Sequence, residues 1–178
     1  MPKKKKDDEW YTPGEIVAPA RALVGGFDLD VASCERANAI IQAARYYTAK
    51  DNGLVQPWFG RVWMNPPYST PLITFFARRL REKYVCGDVD TAFALTNNKT
   101  ETEWFQCLVS VAAAIVFPYG RIRFINQVGQ RQETGWNGQA LFYFGDAPQQ
   151  FIHAYRHIGW GCEPQMRPSN KAFQAALL

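Results

Sequence analysis

The sequence has few of the residues from which metal sites are built. It contains 2 histidines and 4 cysteines, and the cysteines lie far apart with no Cys-x-x-Cys pair. A structural zinc ion needs four closely spaced sulfur or nitrogen ligands, so we predict no zinc site. No spacing of carboxylates indicates another metal either.

Long apolar runs are also absent. No stretch reaches the length of a transmembrane helix, and no N-terminal segment has the apolar core of a signal peptide. We therefore predict no association with a membrane. The scattered cysteines are expected to be free thiols, which fits a reducing compartment, so we expect a cytoplasmic protein.

Charge of one sign is scarce outside the N-terminus. The formal net charge is +4, which equals the contribution of the four lysines at positions 3–6, so a nucleic-acid surface elsewhere must be local. Residues 1–9 are expected to form a basic disordered tail, either simply solvated or a loose phosphate-binding arm. Residues 10–162 are expected to form one domain, and residues 163–178 a C-terminal tail.

Helical and strand-like patterns alternate along the chain, which predicts an α/β sheet with helices on both faces. Capping boxes at residues 12–15 and 100–103, and a cap at Ser69 or Thr70, are expected to begin three helices. Ligands of such sheets bind at the carboxyl ends of strands, where we expect Asp30 and Asn65. Further helices are predicted at residues 35–46, 146–157 and near 171–178, and strands at 27–32, 61–64, 91–96, 111–117, near Phe124 and at 140–144.

The tetrapeptide Asn65-Pro66-Pro67-Tyr68 follows a predicted buried strand and carries the clearest chemistry. The exocyclic amine of adenine is a poor nucleophile, because its lone pair is delocalised into the ring. Hydrogen-bond acceptors can shift that nitrogen toward a tetrahedral geometry, and the Asn65 side chain and the Pro-Pro backbone each supply a carbonyl. Tyr68 supplies a face on which a flipped base can stack. An ordinary strand-to-helix turn is the alternative interpretation.

Asn-Pro-Pro-Tyr is similar to the catalytic motif of amino-methyltransferases that use S-adenosylmethionine. A longer series of segments resembles the phage-type DNA adenine-N6 methyltransferases, small enzymes of phages and prophages. The resemblance covers about residues 9 to 145 and implies a compact Rossmann-like methyltransferase sheet. The segments are Trp10-Tyr11-Thr12-Pro13, Phe27-Asp28-Leu29-Asp30-Val31-Ala32-Ser33, Tyr46-Tyr47-Thr48, Asp51, residues 61–69 and Gly120-Arg121-Ile122-Arg123-Phe124.

The resemblance also implies roles for individual residues. Thr12 and Pro13 are expected to contact the methionine part of S-adenosylmethionine, and Asp51 its adenine or ribose, with Trp58 packed nearby. Asn65, Pro66, Pro67 and Tyr68 are expected to hold the target adenine. The residues expected to line the cofactor cleft are Asp30, Ala32 and Ser33.

This chain departs from the general methyltransferase pattern after its first strand. No Gly-x-Gly loop follows that strand, and Asp30-Val31-Ala32-Ser33 stands in its place. Asn65 follows so closely that the usual second and third strands must be very short or missing. The acid that binds the cofactor ribose is therefore not identified.

Basic and amide side chains crowd the segment 119–139, a candidate DNA-contact insertion. Arginine can contact guanine edges or phosphates, and glutamine or asparagine can contact adenine. A solvated polar loop is the alternative. The candidate DNA-binding residues are Lys99, Arg121, Arg123 and Arg131, with Gln127, Gln130, Gln132 and Asn137 beside them.

The sequence is compatible with three hypotheses of function. The resemblance favours methylation of the N6 amine of adenine in double-stranded DNA. An enzyme that methylates RNA or a protein glutamine amide shares the tetrapeptide, but it usually carries the glycine-rich loop that is missing here. A non-catalytic DNA-binding module with the same fold is the third reading. Both a monomer and a homodimer are compatible with the sequence.

Overall fold

A mixed β-sheet forms the centre of the molecule in a computed structural model, which describes residues 10–133, 135 and 137–165. The seven strands of this described part follow the order β2-β1-β3-β4-β6-β5-β7. β1 to β4 run parallel, whereas β6 runs antiparallel to both β4 and β5, and β7 antiparallel to β5. The strands are β1 Leu29–Asp30, β2 Arg45–Tyr46, β3 Gly60–Met64, β4 Val89–Asn97, β5 Ala114–Pro118, β6 Gln139–Phe144 and β7 Gly159–Cys162.

Helices cover both faces of this sheet, which confirms the predicted α/β architecture. One face carries α1, α2 and α5, and the other carries α3 and α4, as the two separate apolar clusters of the core show. The helices are α1 Gly14–Val24, α2 Glu35–Ile41, α3 Leu72–Val85, α4 Glu103–Val109 and α5 Pro148–Ala154. None of these helices in the described residues is long and apolar enough to cross a membrane.

Alternation along the strands divides the buried side chains between the two faces. On β4, Phe93 and Leu95 pack toward α1 and α5, whereas Ala92 and Ala94 face α3 and α4. The ring of Trp63 on β3 stacks on that of Phe93 with 6.4 Å between centroids, and it lies 5.5 Å from that of Phe27. Much of the high aromatic content therefore serves the core.

The predicted helix caps are wrong. α1 and α3 begin after Pro13 and Pro71, and neither these residues nor Thr102, which precedes α4, makes a side-chain capping bond. The Thr12 hydroxyl instead accepts a hydrogen bond from Asn65, and the Thr102 hydroxyl donates to the Lys99 carbonyl at 2.8 Å. A side chain distant in sequence thus takes the Thr12 hydroxyl that local sequence assigned to a cap, and α4 begins at Glu103 rather than directly after Thr100.

Two predicted elements differ in extent. The helix predicted over 35–46 ends at Ile41, because Gln42 adopts a left-handed backbone and the Asn38 amide bonds both the N–H and the carbonyl of Ala43. The chain then extends into β2. The strand predicted over 27–32 is also shorter, since β1 contains only two residues. Of the very short or missing strands expected between β1 and Asn65, β2 is present with two residues.

Late in the chain, the predicted strand near Phe124 is wrong: the segment forms only isolated bridges from Ile125 to Tyr11 and Arg131. β7 was not predicted, because its Gly-Trp-Gly-Cys sequence lacks apolar alternation. Its Gly161 lets α5 approach closely, since a Cβ there would lie 2.9 Å from Ile152. The helix predicted near 171–178, the basic tail and most of the C-terminal tail lie outside the described residues.

Candidate active site

A cavity of about 510 Å³ opens at the edge of the sheet where β1, β3 and β4 end. Its volume lies within the range of about 300–1,000 Å³ that small-molecule sites occupy. The segment before α1 forms one wall, and the turns after β1 and β3 form two others. This is the position at which α/β sheets bind ligands. The predicted site residues that line it are Thr12, Asp30, Ala32, Ser33, Asn65, Pro66, Pro67 and Tyr68.

The amide of Asn65 is held in one orientation by two partners. Its Nδ2 donates to Thr12 Oγ1 at 3.1 Å, and its Oδ1 accepts from the Tyr68 hydroxyl at 2.7 Å. The Tyr68 hydroxyl also lies 3.3 Å from the carbonyl oxygen of Leu95 on β4. Because an amide oxygen has two lone pairs, Asn65 Oδ1 keeps acceptor capacity for a ligand.

The local sequence explains why Asn65 lies at this edge. Val62 and Met64 anchor β3 against α3 in the core, and Met64 is the last residue in register with β4. Pro66 and Pro67 have no backbone N–H, so the strand cannot continue beyond Asn65. Pro66 is buried while Pro67 is exposed. The tetrapeptide therefore turns away from the sheet beside the cavity.

Asp30 is the buried acid of the cavity. Only 2% of its surface is exposed, and its Oδ1 accepts from the backbone N–H of Ala32 at 3.2 Å. Burial raises the pKa of this carboxyl to about 6, although hydrogen bonds from Ser33 and Ala32 act in the opposite direction. Burial likewise raises the pKa of Tyr68, so its phenol stays a neutral donor.

The turn after β1 is supported by backbone contacts in place of a glycine-rich loop. Ser33 donates its backbone N–H to the carbonyl of Tyr47 at 2.7 Å, and Tyr47 donates to that of Asp30 at 2.9 Å. Gly53 lies so close that a Cβ there would be 2.1 Å from the Val31 carbonyl oxygen. The buried Trp58 indole donates to the Gly53 carbonyl at 2.7 Å. The segment after β2 thereby packs directly onto the turn after β1.

Three residues given cofactor roles by resemblance are not part of the cavity lining. The exposed Asp51 carboxylate accepts from the backbone N–H and hydroxyl of Thr48, at 2.8 and 2.7 Å, and it is Thr48 that lines the cavity. Pro13 is buried at the start of α1, and Trp58 lies beneath Gly53. The structure thus brings their neighbours, rather than these side chains, to the cavity.

The candidate DNA-binding cations lie on exposed loops near the same cavity, whose lining includes Gln132 of that segment. Arg121 and Arg123 donate to the carbonyls of Gly135 and Gln132, at 3.0 and 2.8 Å. Arg131 is engaged in a two-pronged ion pair with Glu15 of α1, with one N–O distance of 2.8 Å. Lys99 is exposed on the loop after β4.

Sequence reasoning missed several residues of the lining. Asn97 ends β4 and Gln139 begins β6, and both are buried. A polar side chain at the end of an apolar strand, the signal that identified Asn65, also marks Asn97. Gln139 follows polar residues and gave no such signal. Trp10 and Phe124 add aromatic surface to the lining.

The lining fits S-adenosylmethionine in chemical terms. That cofactor carries two cationic groups, an ammonium and a sulfonium, and Asp30 offers a buried carboxylate with few partners. Ser33 and Thr48 add hydroxyls, and Leu54 an apolar side chain, to the same part of the lining. No group of three or more metal-ligating side chains occurs within the described residues.

Comparison with known proteins identifies the family of this chain. A family model described as DNA N-6-adenine-methyltransferase (Dam) matches residues 1–158. A DNA N-6-adenine-methyltransferase of Haemophilus phage HP1 is 33% identical over 146 residues, which cover 80% of this chain and 81% of the relative. Its namesake from Escherichia phage T1 is 32% identical over 113 residues, covering 62% and 44% respectively.

No solved structure matches the chain significantly. The family match nevertheless spans most of the chain, and the relative from phage HP1 matches over four-fifths of both lengths. The sheet flanked by helices on both faces is the Rossmann-like architecture expected of a methyltransferase. The chain therefore belongs to the DNA N-6-adenine-methyltransferase (Dam) family.

Proposed function

We propose that this DNA adenine-N6 methyltransferase binds S-adenosylmethionine in the part of the cavity beside Asp30 and the target adenine in the part beside Asn65. The observation that carries the proposal is the fixed amide of Asn65, held by Thr12 and Tyr68 in the same cavity as a buried carboxylate. Both halves of the proposed methyl-transfer site would therefore lie at one edge of the sheet.

Asn65 is the proposed acceptor for the adenine amine. Its Oδ1 accepts one amine hydrogen, and a backbone carbonyl of the Pro66-Pro67 turn provides a second acceptor. These hydrogen bonds draw the nitrogen lone pair out of conjugation with the ring and direct it toward the methyl group. Because Thr12 and Tyr68 already fix the amide, little reorganisation accompanies the reaction.

S-adenosylmethionine supplies a methyl group bonded to a positively charged sulfur. Asp30 is proposed to bind a cationic group of the cofactor, with Ala32, Ser33 and Thr48 as further contacts from the lining. Thr48 lines the cavity, whereas Asp51 does not, and the Asp51 carboxylate accepts hydrogen bonds from the Thr48 backbone and side chain. Asp51 is therefore proposed as a supporting residue.

The target base must leave the duplex to reach this cavity, because the N6 amine is otherwise paired and stacked. Tyr68 is proposed to contact the flipped base, and base–aromatic stacking contributes about 1–3 kcal/mol. Lys99, Arg121 and Arg123 are proposed to contact phosphates around the cavity mouth. Arg131 would join them only after exchanging Glu15 for DNA. Since both relatives come from phages, we propose that the enzyme acts on DNA in the cytoplasm of a bacterial cell.

The experiment that tests this function identifies the methylated atom. The protein is incubated with duplex DNA and S-adenosylmethionine labelled in its methyl group, and the DNA is digested to nucleosides. We expect the label in N6-methyladenine. Label in RNA or protein with none in DNA would favour the first alternative, and DNA binding with no transfer would favour a non-catalytic module.

A further inference from the structure

A second asparagine lies in the cavity without an assigned role. Asn97 is the last residue of β4 and faces Gln139, the first residue of β6, across the antiparallel pair. Leu95 and Leu141, two positions further into each strand, pack in the same apolar cluster as Trp63. Side chains alternate along a strand, so both amides project from the sheet face that also carries Asn65.

The amide of Asn97 is buried with an acceptor unused. The residue is 7% exposed, and its Oδ1 has no hydrogen-bond partner among the described residues. A desolvated acceptor without a partner destabilises a protein by about 1–3 kcal/mol, and native structures keep few of them. Gln139 differs, because its Oε1 accepts from the backbone N–H of Ile122 at 3.1 Å. Asn97 is therefore available to a ligand of the cavity.

The contacts proposed so far do not distinguish adenine from cytosine, and an amide such as that of Asn97 can do so. The acceptors beside Asn65 contact an exocyclic amine, and cytosine also carries an exocyclic amine next to a ring nitrogen. What adenine has and cytosine lacks is N7, an acceptor beside the amine on the second ring. The side chain that matches this edge is Asn or Gln, which donates to N7 and accepts from the N6 amine.

Resting on the proposed function, we infer that Asn97 binds the N6/N7 edge of the flipped adenine and thereby selects adenine over cytosine. The Asn97 Nδ2 donates to N7. The Asn97 Oδ1 and the Pro-Pro carbonyl both accept from the amine hydrogen on the N7 side. Asn65 takes the other amine hydrogen. The buried acceptor of Asn97 gains its partner only when the correct base is bound.

The test combines a protein change with a change of the base. Duplex DNA of mixed sequence is prepared by polymerase with either dATP or 7-deaza-dATP, which replaces N7 by a C–H. Single-turnover methyl transfer is measured on both DNAs with the wild type and with Asn97→Leu, a change of similar size that removes both polar atoms. Effects of 7-deazaadenine outside the target position are common to both proteins and cancel in the comparison.

We expect 7-deazaadenine to lower the wild-type rate by on the order of 10-fold more than it lowers the rate of Asn97→Leu. Asn98→Ala changes the neighbouring amide, which is exposed and outside the cavity lining, and should retain the wild-type ratio. Because Asn97→Leu removes a buried acceptor that has no partner, its thermal midpoint should be at least as high as that of the wild type, and its affinity for S-adenosylmethionine should be unchanged.

Equal ratios for the wild type and Asn97→Leu would overturn the inference. Complete loss of transfer by both Asn97→Leu and Asn97→Ala would also overturn it, since one base-edge contact accounts for at most on the order of 100-fold. The wild type on ordinary DNA separates this inference from the proposed function. Without N6-methyladenine in that arm both fail, whereas normal methylation with equal ratios rejects only the role of Asn97.

Discussion

Because of Asp30, the affinity for the cofactor should rise with pH, whereas the stability of the free protein should fall with pH. Its carboxyl is buried, and its pKa is raised from 3.8 to about 6 mainly by that burial. Without ligand, the fold therefore favours the protonated acid. A cationic cofactor group requires the carboxylate instead. Raising the pH from 5 to 7 and the substitution Asp30→Asn both test this dependence on the ionisation of Asp30.

The magnitude follows from the pKa. At pH 5, about one unit below it, roughly one Asp30 in ten is ionised, and at pH 7 nearly all are. If only the ionised form binds the cofactor well, affinity rises about 10-fold between these values. Because the folded pKa is raised, the stabilisation from protonated Asp30 is fully present below about pH 4 and is lost as pH rises through about 6. The shift corresponds to roughly 3 kcal/mol.

The assay is equilibrium binding of S-adenosylmethionine by calorimetry at pH 5, 6 and 7, below the usual pKa of an α-amino group. Denaturant unfolding of the free protein over the same range gives the stability. For Asp30→Asn we expect weaker binding at pH 7, a flat pH dependence of affinity, and a free protein at least as stable as the wild type. Affinity of the wild type that stays constant or falls from pH 5 to 7 would refute the pairing of Asp30 with a cation.

Three further results are expected. Thr12→Val should lower kcat about 3- to 10-fold, because Asn65 loses one hydrogen bond, and Thr12→Ser should restore kcat; equal rates for both variants would contradict this role. Gly53→Ala should lower the free energy of unfolding by about 1–3 kcal/mol in denaturant titrations, because its Cβ meets the Val31 carbonyl. Arg123→Ala should reduce the salt dependence of DNA binding, measured as the slope of log K against log salt, by about 0.9, and an unchanged slope would exclude a phosphate contact.

The position of the tetrapeptide could be predicted from sequence because its causes are local. The apolar residues before Asn65 predict a buried strand. Because two successive prolines must end that strand, Asn65 is predicted at its end. Asp30 was expected at the end of the strand predicted over 27–32, and it is the last residue of β1. The α/β architecture followed from the alternation of patterns, which depends only on periods of 2 and 3.6 residues.

The parts that failed depend on neighbours distant in sequence. The hydroxyl of Thr12 looked like a helix cap, but its partner, Asn65, lies 53 positions away. Arg131 looked free to bind DNA, yet it pairs with Glu15, 116 positions away. Nothing local distinguishes these alternatives, because each is decided by which segments the sheet brings together.

Two further differences have similar causes. A strand of two residues such as β2 has no period to detect, so its sequence read as the end of a helix. Gln139 joins the cavity only because β6 is inserted antiparallel between β4 and β5, which sets it opposite Asn97. The register of that pair is a property of the whole sheet.

The fixed Asn65 amide is proposed to accept a hydrogen bond from the amine of the target adenine. Single-turnover formation of N6-methyladenine by the wild type and by Asn65→Ala tests it most directly, with S-adenosylmethionine affinity measured in parallel. We predict that Asn65→Ala lowers the rate of transfer by on the order of 100-fold or more, while cofactor affinity changes less than about 3-fold. Near-normal transfer by Asn65→Ala would contradict the account.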